Sequence, residues 1–267
     1  MERKDDRNTP RRQHRIDQIL DVVANRKPDL LVCAGDFLKN KSDLQVIANY
    51  QTILSGKTKI VTDYDVRKGK KKNNGGIPSP LYLIEPSGKV TQIARQCASR
   101  SREFSTKHGP KTRKIVKCFK TNEATRVFKV KNITCSCLVC GEINFFAYKI
   151  NSSRVHPRDK VFGNHYDAVR LIVNPTHDRM GDSWGALTAK RKYLSRPLSY
   201  HKRCYVSTSN WEIRKPTKTN SITGVTHKQT PHATNLHTVY VDGNQKNLAR
   251  IHNSTRMMEY RKVNVRL

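Results

Sequence analysis

Acidic residues are scarce in this chain: 21 Asp and Glu stand against 52 Lys and Arg, a formal net charge of +31 over 267 residues. The shortage is uneven. From Pro86 to Gly141 only Glu103 and Glu123 oppose 13 basic residues, and from Ser183 to Val241 Glu212 alone opposes ten. Net charge governs association rather than architecture, so it excludes no fold, but it directs attention to an anionic partner, nucleic acid foremost. Aromatic residues are also few, at 7%. A nucleic acid bound here would be held by its phosphates rather than by stacked bases.

Long apolar runs are missing too. No stretch approaches the ~20 apolar residues that span a bilayer. The N-terminus MERKDDRNTPRRQHR lacks the apolar core of a signal peptide. The expectation is a cytoplasmic protein with no membrane contact. No repeat or long linker divides the chain, so residues 1–10 read as a charged tail and 11–267 as one domain. The cysteines number seven, an odd count with three inside six residues. That is not the pattern of a disulfide framework and points to a reducing compartment.

What is present alternates between helix and strand periodicity. Residues 11–26 place Ile16, Ile19, Leu20 and Val23 at helical spacing before Pro28. A buried strand follows at 29–38, then a helix at 43–54 and a strand within KTKIVTDYDV. The tract 67–80 is a basic, glycine-rich loop, and LYLIEPSGKVTQIA is a hairpin around Pro-Ser-Gly. Strands are expected at 126–130, 133–140, 167–177 and 202–211, a helix at 183–196, a second hairpin around Asp242-Gly243, and a last strand in MMEYRKVNV. This order predicts mixed β-sheets covered by helices.

The chemistry concentrates in residues 133–146, ITCSCLVCGEINFF. Strand alternation puts Cys135 and Cys137 on one face with Val139 and Cys140 on the other, which argues against a zinc knuckle built from all three. Cys135 and Cys137 fit small buried hydrophobes, as do Cys33, Cys97, Cys118 and Cys204. Cys140 stands at the strand end beside a turn, where a neighbouring base or cation could favour its thiolate. Glu142, two residues on, is a candidate pocket-wall carboxylate. His177 and Arg179, after the Asn-Pro that closes the 167–177 strand, are candidate substrate contacts.

The motif order DLLVCAGDF, PSGKV, LVCGEINFF, AVRLIVNPTHDRM and YVSTSNW resembles the nitrilase, or carbon-nitrogen hydrolase, superfamily over about residues 11–267. The resemblance implies an αββα sandwich of mixed sheets flanked by helices and a carboxylate–lysine–cysteine triad acting on an amide or nitrile. It implies no metal or organic cofactor, and it implies subunits that pair as a homodimer. Carried onto this sequence, Cys140 is the nucleophile and Asp36 the base, an aspartate where the family has glutamate. Lys111 is assigned as the lysine by its separation from Cys140 alone. Two other readings stay open. One is a non-catalytic protein of the same shape that binds nucleic acid through its basic surface. The other is a metallophosphoesterase using Asp36, Asn164 and His165 of AGDFLKN and GNHYD as metal ligands.

Overall fold

The computed structural model describes residues 9–35, 37–38, 40–54, 56–64, 79–104, 109–177, 185–198, 201–209, 237–248, 250–251 and 260–267. Helix α1 (Thr9–Arg26) leads into strand β1 (Leu30–Val32). Helix α2 (Lys41–Ile53) follows, with the Asn40 backbone N–H donating to Asp43 Oδ2 at 3.2 Å, and the chain returns as β2 (Lys59–Thr62) parallel to β1. Strands β3 (Pro80–Ile84) and β4 (Val90–Arg95) form the first expected hairpin, with Gly88 at φ +79° in its turn. The first sheet therefore runs β1-β2-β3-β4.

Helix α3 (Gly109–Asn122) crosses to the second half of the chain. There β5 (Val127–Val130) and β6 (Ile133–Cys137) pair antiparallel, and a small ribbon of β7 (Phe146–Lys149) and β8 (Arg154–Pro157) leads to helix α4 (Lys160–Asp167). Strand β9 (Leu171–Thr176), helix α5 (Ala186–Ser195), β10 (Cys204–Ser209), β11 (His237–Val241) and β12 (Asn244–Gln245) complete a second sheet in the order β12-β11-β10-β9-β6-β5. Here β9 is parallel to both β6 and β10. A short pair at Arg250–Ile251 and Tyr260–Arg261 lies beyond it.

Three cores arrange these elements into four layers. Ile16, Ile19, Leu44 and Ile47 of the first two helices pack on Ile60, Tyr82 and Ile84. The alternate residues Val61, Leu81 and Leu83 face inward against Phe128, Val130, Cys135, Cys137 and Val173 of the second sheet. On that sheet's far side, Ile172, Tyr205 and Tyr240 meet Ile115, Phe119, Phe162, Tyr166 and Leu194. Period-two alternation sends successive side chains of one strand to different cores, so each sheet is buried on both faces. The αββα sandwich of mixed sheets between helices, expected from the motif order, is the one observed. No described helix is long and apolar enough to cross a membrane.

Several expectations need correction. Residues 109–122, for which no element was expected, form α3, because Ile115 and Phe119 on one face suffice to anchor it. Helix α4 and the β7–β8 ribbon carried too short a pattern to be seen. The predicted strand in MMEYRKVNV is reduced, among the described residues, to Tyr260–Arg261. The cysteines are not all free: Cys97, just after β4, is disulfide-bonded to Cys118 of α3. The pairing escaped the sequence because it depends on the packing of a helix that was not anticipated.

Candidate active site

The four strands that matter end at one place. Within each sheet the neighbours are parallel, β1 with β2 and β6 with β9, so their C-terminal ends lie side by side. A backbone hydrogen bond from Gly35, after β1, to the Thr176 carbonyl at 3.0 Å joins the two sheets. Gly35 has no room for a side chain, since a Cβ there would lie 2.5 Å from His177 Cδ2 and 2.7 Å from the His177 nitrogen. Around this contact stand Cys140 after β6, Asp63 after β2 and His177 after β9.

The turn that presents Cys140 is strained and braced. Strand β6 ends at Cys137, and Cys140 adopts φ +50°, a left-handed conformation that costs a non-glycine residue on the order of 1 kcal/mol. A 3-10 turn over Cys140–Phe145 follows. Asn174 Nδ2 donates to the carbonyls of Leu138 (3.0 Å) and Cys140 (3.1 Å), and its own carbonyl accepts from Tyr205 Oη at 2.8 Å. Pro175, next in line, sits where the ladder to β6 has already ended at Val173, so its missing N–H leaves no gap. This turn also revises the alternation forecast. Cys140 does not continue the strand but swings back to the margin of the inter-sheet core that holds Cys135 and Cys137.

His177 lies between a carboxylate and the thiol. Its Nε2 is 3.1 Å from Asp63 Oδ2, and both side chains are nearly excluded from solvent. Burial works against protonating the ring, but the hydrogen bonds to Asp63 and Cys140, with their charges, outweigh it and raise the His177 pKa to about 10. Asp63 is fixed from the other side by the Phe37 N–H, which donates to Oδ1 at 3.4 Å, while its carbonyl accepts from the Leu38 N–H at 3.2 Å. The result is a thiol, an imidazolium and a buried carboxylate in sequence. A thiol, a proton carrier and an orienting acid in this order are the parts that nucleophilic catalysis requires.

Glu142 has a different task from the one expected. It is fully buried and makes a two-pronged ion pair with Arg126, Nη1 to Oε2 at 2.7 Å and Nη2 to Oε1 at 2.9 Å. Its remaining capacity is taken by the N–H groups of Cys97 (2.7 Å) and Val139 (2.8 Å). Burial opposes the Arg126 charge, yet Glu142 overrides this and pushes its pKa up. With four donors on one carboxylate, Glu142 braces the Cys140 turn instead of facing a ligand. Gly141 completes the brace, for a Cβ there would collide with the Ser99 carbonyl.

Of the residues singled out from sequence, Cys140 and His177 come together, and Glu142 lies behind them. Lys111 is exposed on α3. Asp36 and Arg179 lie outside the described residues. The metal-ligand reading separates: Asn164 is exposed on α4, whereas His165 is buried with Nε2 2.7 Å from Ser136 Oγ. Asp63 and Arg126 were missed. Asp63 could have been found as the acid closing KIVTD, a strand parallel to β1. Arg126 carried no signal, because nothing in TRVFKV distinguishes a buried arginine from a solvated one.

No protein-family model matches the sequence, and no curated protein matches it. Solved structures similar to the chain include an amidase from Nesterenkonia sp. AN1 with an acetamide moiety covalently added at its active-site cysteine. The identity is 12% and the TM-score 0.44, over 73% of this chain and 70% of that one. Another structure of the Nesterenkonia amidase is described as from the nitrilase superfamily, at 13% identity and TM-score 0.42, with coverage of 73% and 70%. A CN-hydrolase superfamily protein from Xanthomonas campestris with an arsenic adduct in its active site is similar at 8% identity and TM-score 0.44, over 94% of this chain and 82% of that one.

Proposed function

We propose that the protein is a cysteine-dependent hydrolase of an amide- or nitrile-type carbon–nitrogen bond. The observation that carries this reading is His177 held between Asp63 and Cys140 at the converging strand ends. For an amide, the Cys140 thiolate attacks the carbonyl carbon. As the tetrahedral adduct collapses, the carbon–nitrogen bond breaks and His177 passes its proton to the departing amine, leaving a thioester. His177, now neutral, takes a proton from water, whose hydroxide attacks the thioester carbon and releases the carboxylic acid and the thiolate. Asp63 keeps the ring oriented and stabilises its charged form. Lys111, on the outer side of α3, is not part of this set.

The test is ammonia release from a panel of small amides and nitriles, combined with mass spectrometry of the protein after rapid quenching. The expected result is turnover with an acyl group trapped on the peptide containing Cys140. Equal turnover by Cys140→Ala would overturn the reading.

A second reading concerns the charge and rests on α3. Arg113, Lys114, Lys117 and Lys120 are all exposed and fall on one side of that helix, opposite Ile115 and Phe119. Such a stripe suits a phosphate backbone, and binding should weaken steeply as salt rises. Titration of a single-stranded and a duplex oligonucleotide at two salt concentrations checks this. Binding that ignores salt, or fails at ~50 mM, would reduce the stripe to a solvated face.

A further inference from the structure

The two larger sheets are unequal, four strands against six. Among the described residues β1 pairs with β2 alone, which leaves its other edge open. Along that edge lies a cavity of about 820 Å³, bounded by α1, β1, the inner faces of β9, β10 and β11, and residues 262–267. Its walls are more apolar than polar. Leu30, Val32, Leu171 and Val206 pack at the margin of the inter-sheet core, remain only half-buried, and line the cavity. Cys140, His177 and Asp63 do not line it, although Phe37, whose N–H donates to Asp63, does.

The exposed charges along the cavity are mostly basic. Arg26 and Lys27, where α1 ends, are exposed beside the start of β1, and Lys262 and Arg266 line the cavity from the C-terminal stretch. Asp29 is the one acidic side chain among the described lining residues, and Lys131 already pairs with it at 2.8 Å. A volume of this size lies within the range of about 300–1,000 Å³ that holds small molecules. The apolar part of such a space gains by receiving hydrocarbon. We propose that this cavity binds an amphipathic anion, an alkyl chain lying along β1 with its carboxylate at the basic mouth.

Calorimetric titration of the full chain with dodecanoate below its micelle concentration tests the proposal, with butyrate and dodecylamine as comparisons. Saturable one-to-one binding of dodecanoate is expected, at least about tenfold tighter than either comparison. Butyrate carries the same charge without the chain, so equal affinity for it would reduce the effect to surface charge and overturn the proposal. Equal binding of dodecylamine would overturn it as well, because the basic mouth would then play no part. Val206→Trp fills the cavity and should weaken dodecanoate about tenfold or more, while unchanged binding in the folded variant would refute the location. Should that variant not fold, thermal unfolding of the unaltered chain decides: its midpoint should rise with dodecanoate and not with butyrate, and no differential rise overturns the proposal.

Discussion

Two histidines in this molecule each sit between a nucleophile-type side chain and a carboxylate, and they have opposite electrostatic fates. His177 stands between Cys140 and Asp63, and its pKa is raised to about 10. His165 stands between Ser136, whose Oγ is 2.7 Å from Nε2, and Glu123, whose Oε1 is 3.5 Å from Nδ1. Burial, helped by the charge of Arg126, lowers the His165 pKa to about 4. The difference lies in what surrounds each set. Asp63 is buried against its histidine, whereas Glu123 is 39% exposed and leaves His165 to the aromatic rings of Phe119 and Tyr166. Ser136 has no access to solvent at all, while Cys140 is partly exposed at a strained strand end. A serine–histidine–acid set inside a core is a packing device. The same kind of set at the meeting point of four strand ends is a candidate catalyst.

The largest effect should come from the two nucleophile-type residues. Cys140→Ala is expected to abolish amide turnover, whereas Ser136→Ala should leave it intact and instead cost about 1–3 kcal/mol of stability, because His165 loses its buried partner. Amide turnover and urea unfolding of the two variants measure both. Full activity in Cys140→Ala, or loss of activity in a folded Ser136→Ala, would reverse the assignment.

Next come the groups that serve the thiol. His177→Gln and Asp63→Asn should each slow turnover by about 10²–10⁴-fold, the usual contribution of a positioned proton-transfer group. They should also slow iodoacetamide labelling of Cys140 at neutral pH. His165→Gln should change neither rate.

The comparison also shows what the sequence could tell. The succession of strands and both hairpins were legible, since they rest on local periodicity and turn residues such as Gly88 and Asp242-Gly243, whereas the face to which Cys140 turns was not. The partner of His177 was not. Asp63 lies 114 residues away from it along the chain, and only the docking of the two sheets brings them together. Glu142 was misjudged for a related reason: its role depends on Arg126, a charge drawn inside by one specific ion pair, and no local pattern announces such an arginine. Short elements such as α4 were lost because eight residues carry too little periodicity.

The third prediction uses pH. The folded His177 pKa lies above its unfolded value near 6.5, so the stability it contributes is complete below about pH 6.5 and is lost as pH rises toward about 10. His165 behaves in the opposite sense. Its folded pKa lies below the unfolded value, so its contribution is complete above about pH 6.5 and is lost as pH falls toward about 4. Urea midpoints across this range should fall at both ends. His177→Gln should flatten the alkaline fall and His165→Gln the acid one. If the alkaline fall persists unchanged in His177→Gln, the imidazolium at the site is ruled out.

The smallest effect is expected at Glu123, and it tests the comparison most finely. Its contact with His165 has the residue types of the Asp63–His177 pair but not the surroundings: the distance is 3.5 Å, the carboxylate is 39% exposed, and the histidine it meets is neutral at physiological pH because burial holds its pKa near 4. A solvent-screened contact to an uncharged ring is worth no more than an ordinary surface pair, about 0–1 kcal/mol. Glu123→Gln should therefore shift the urea midpoint by an amount within that range and leave turnover unchanged, even as Asp63→Asn removes most activity. A loss of several kcal/mol in Glu123→Gln would mean that His165 is charged in the folded protein. The two histidines would then no longer differ in the way that separates a site from a core.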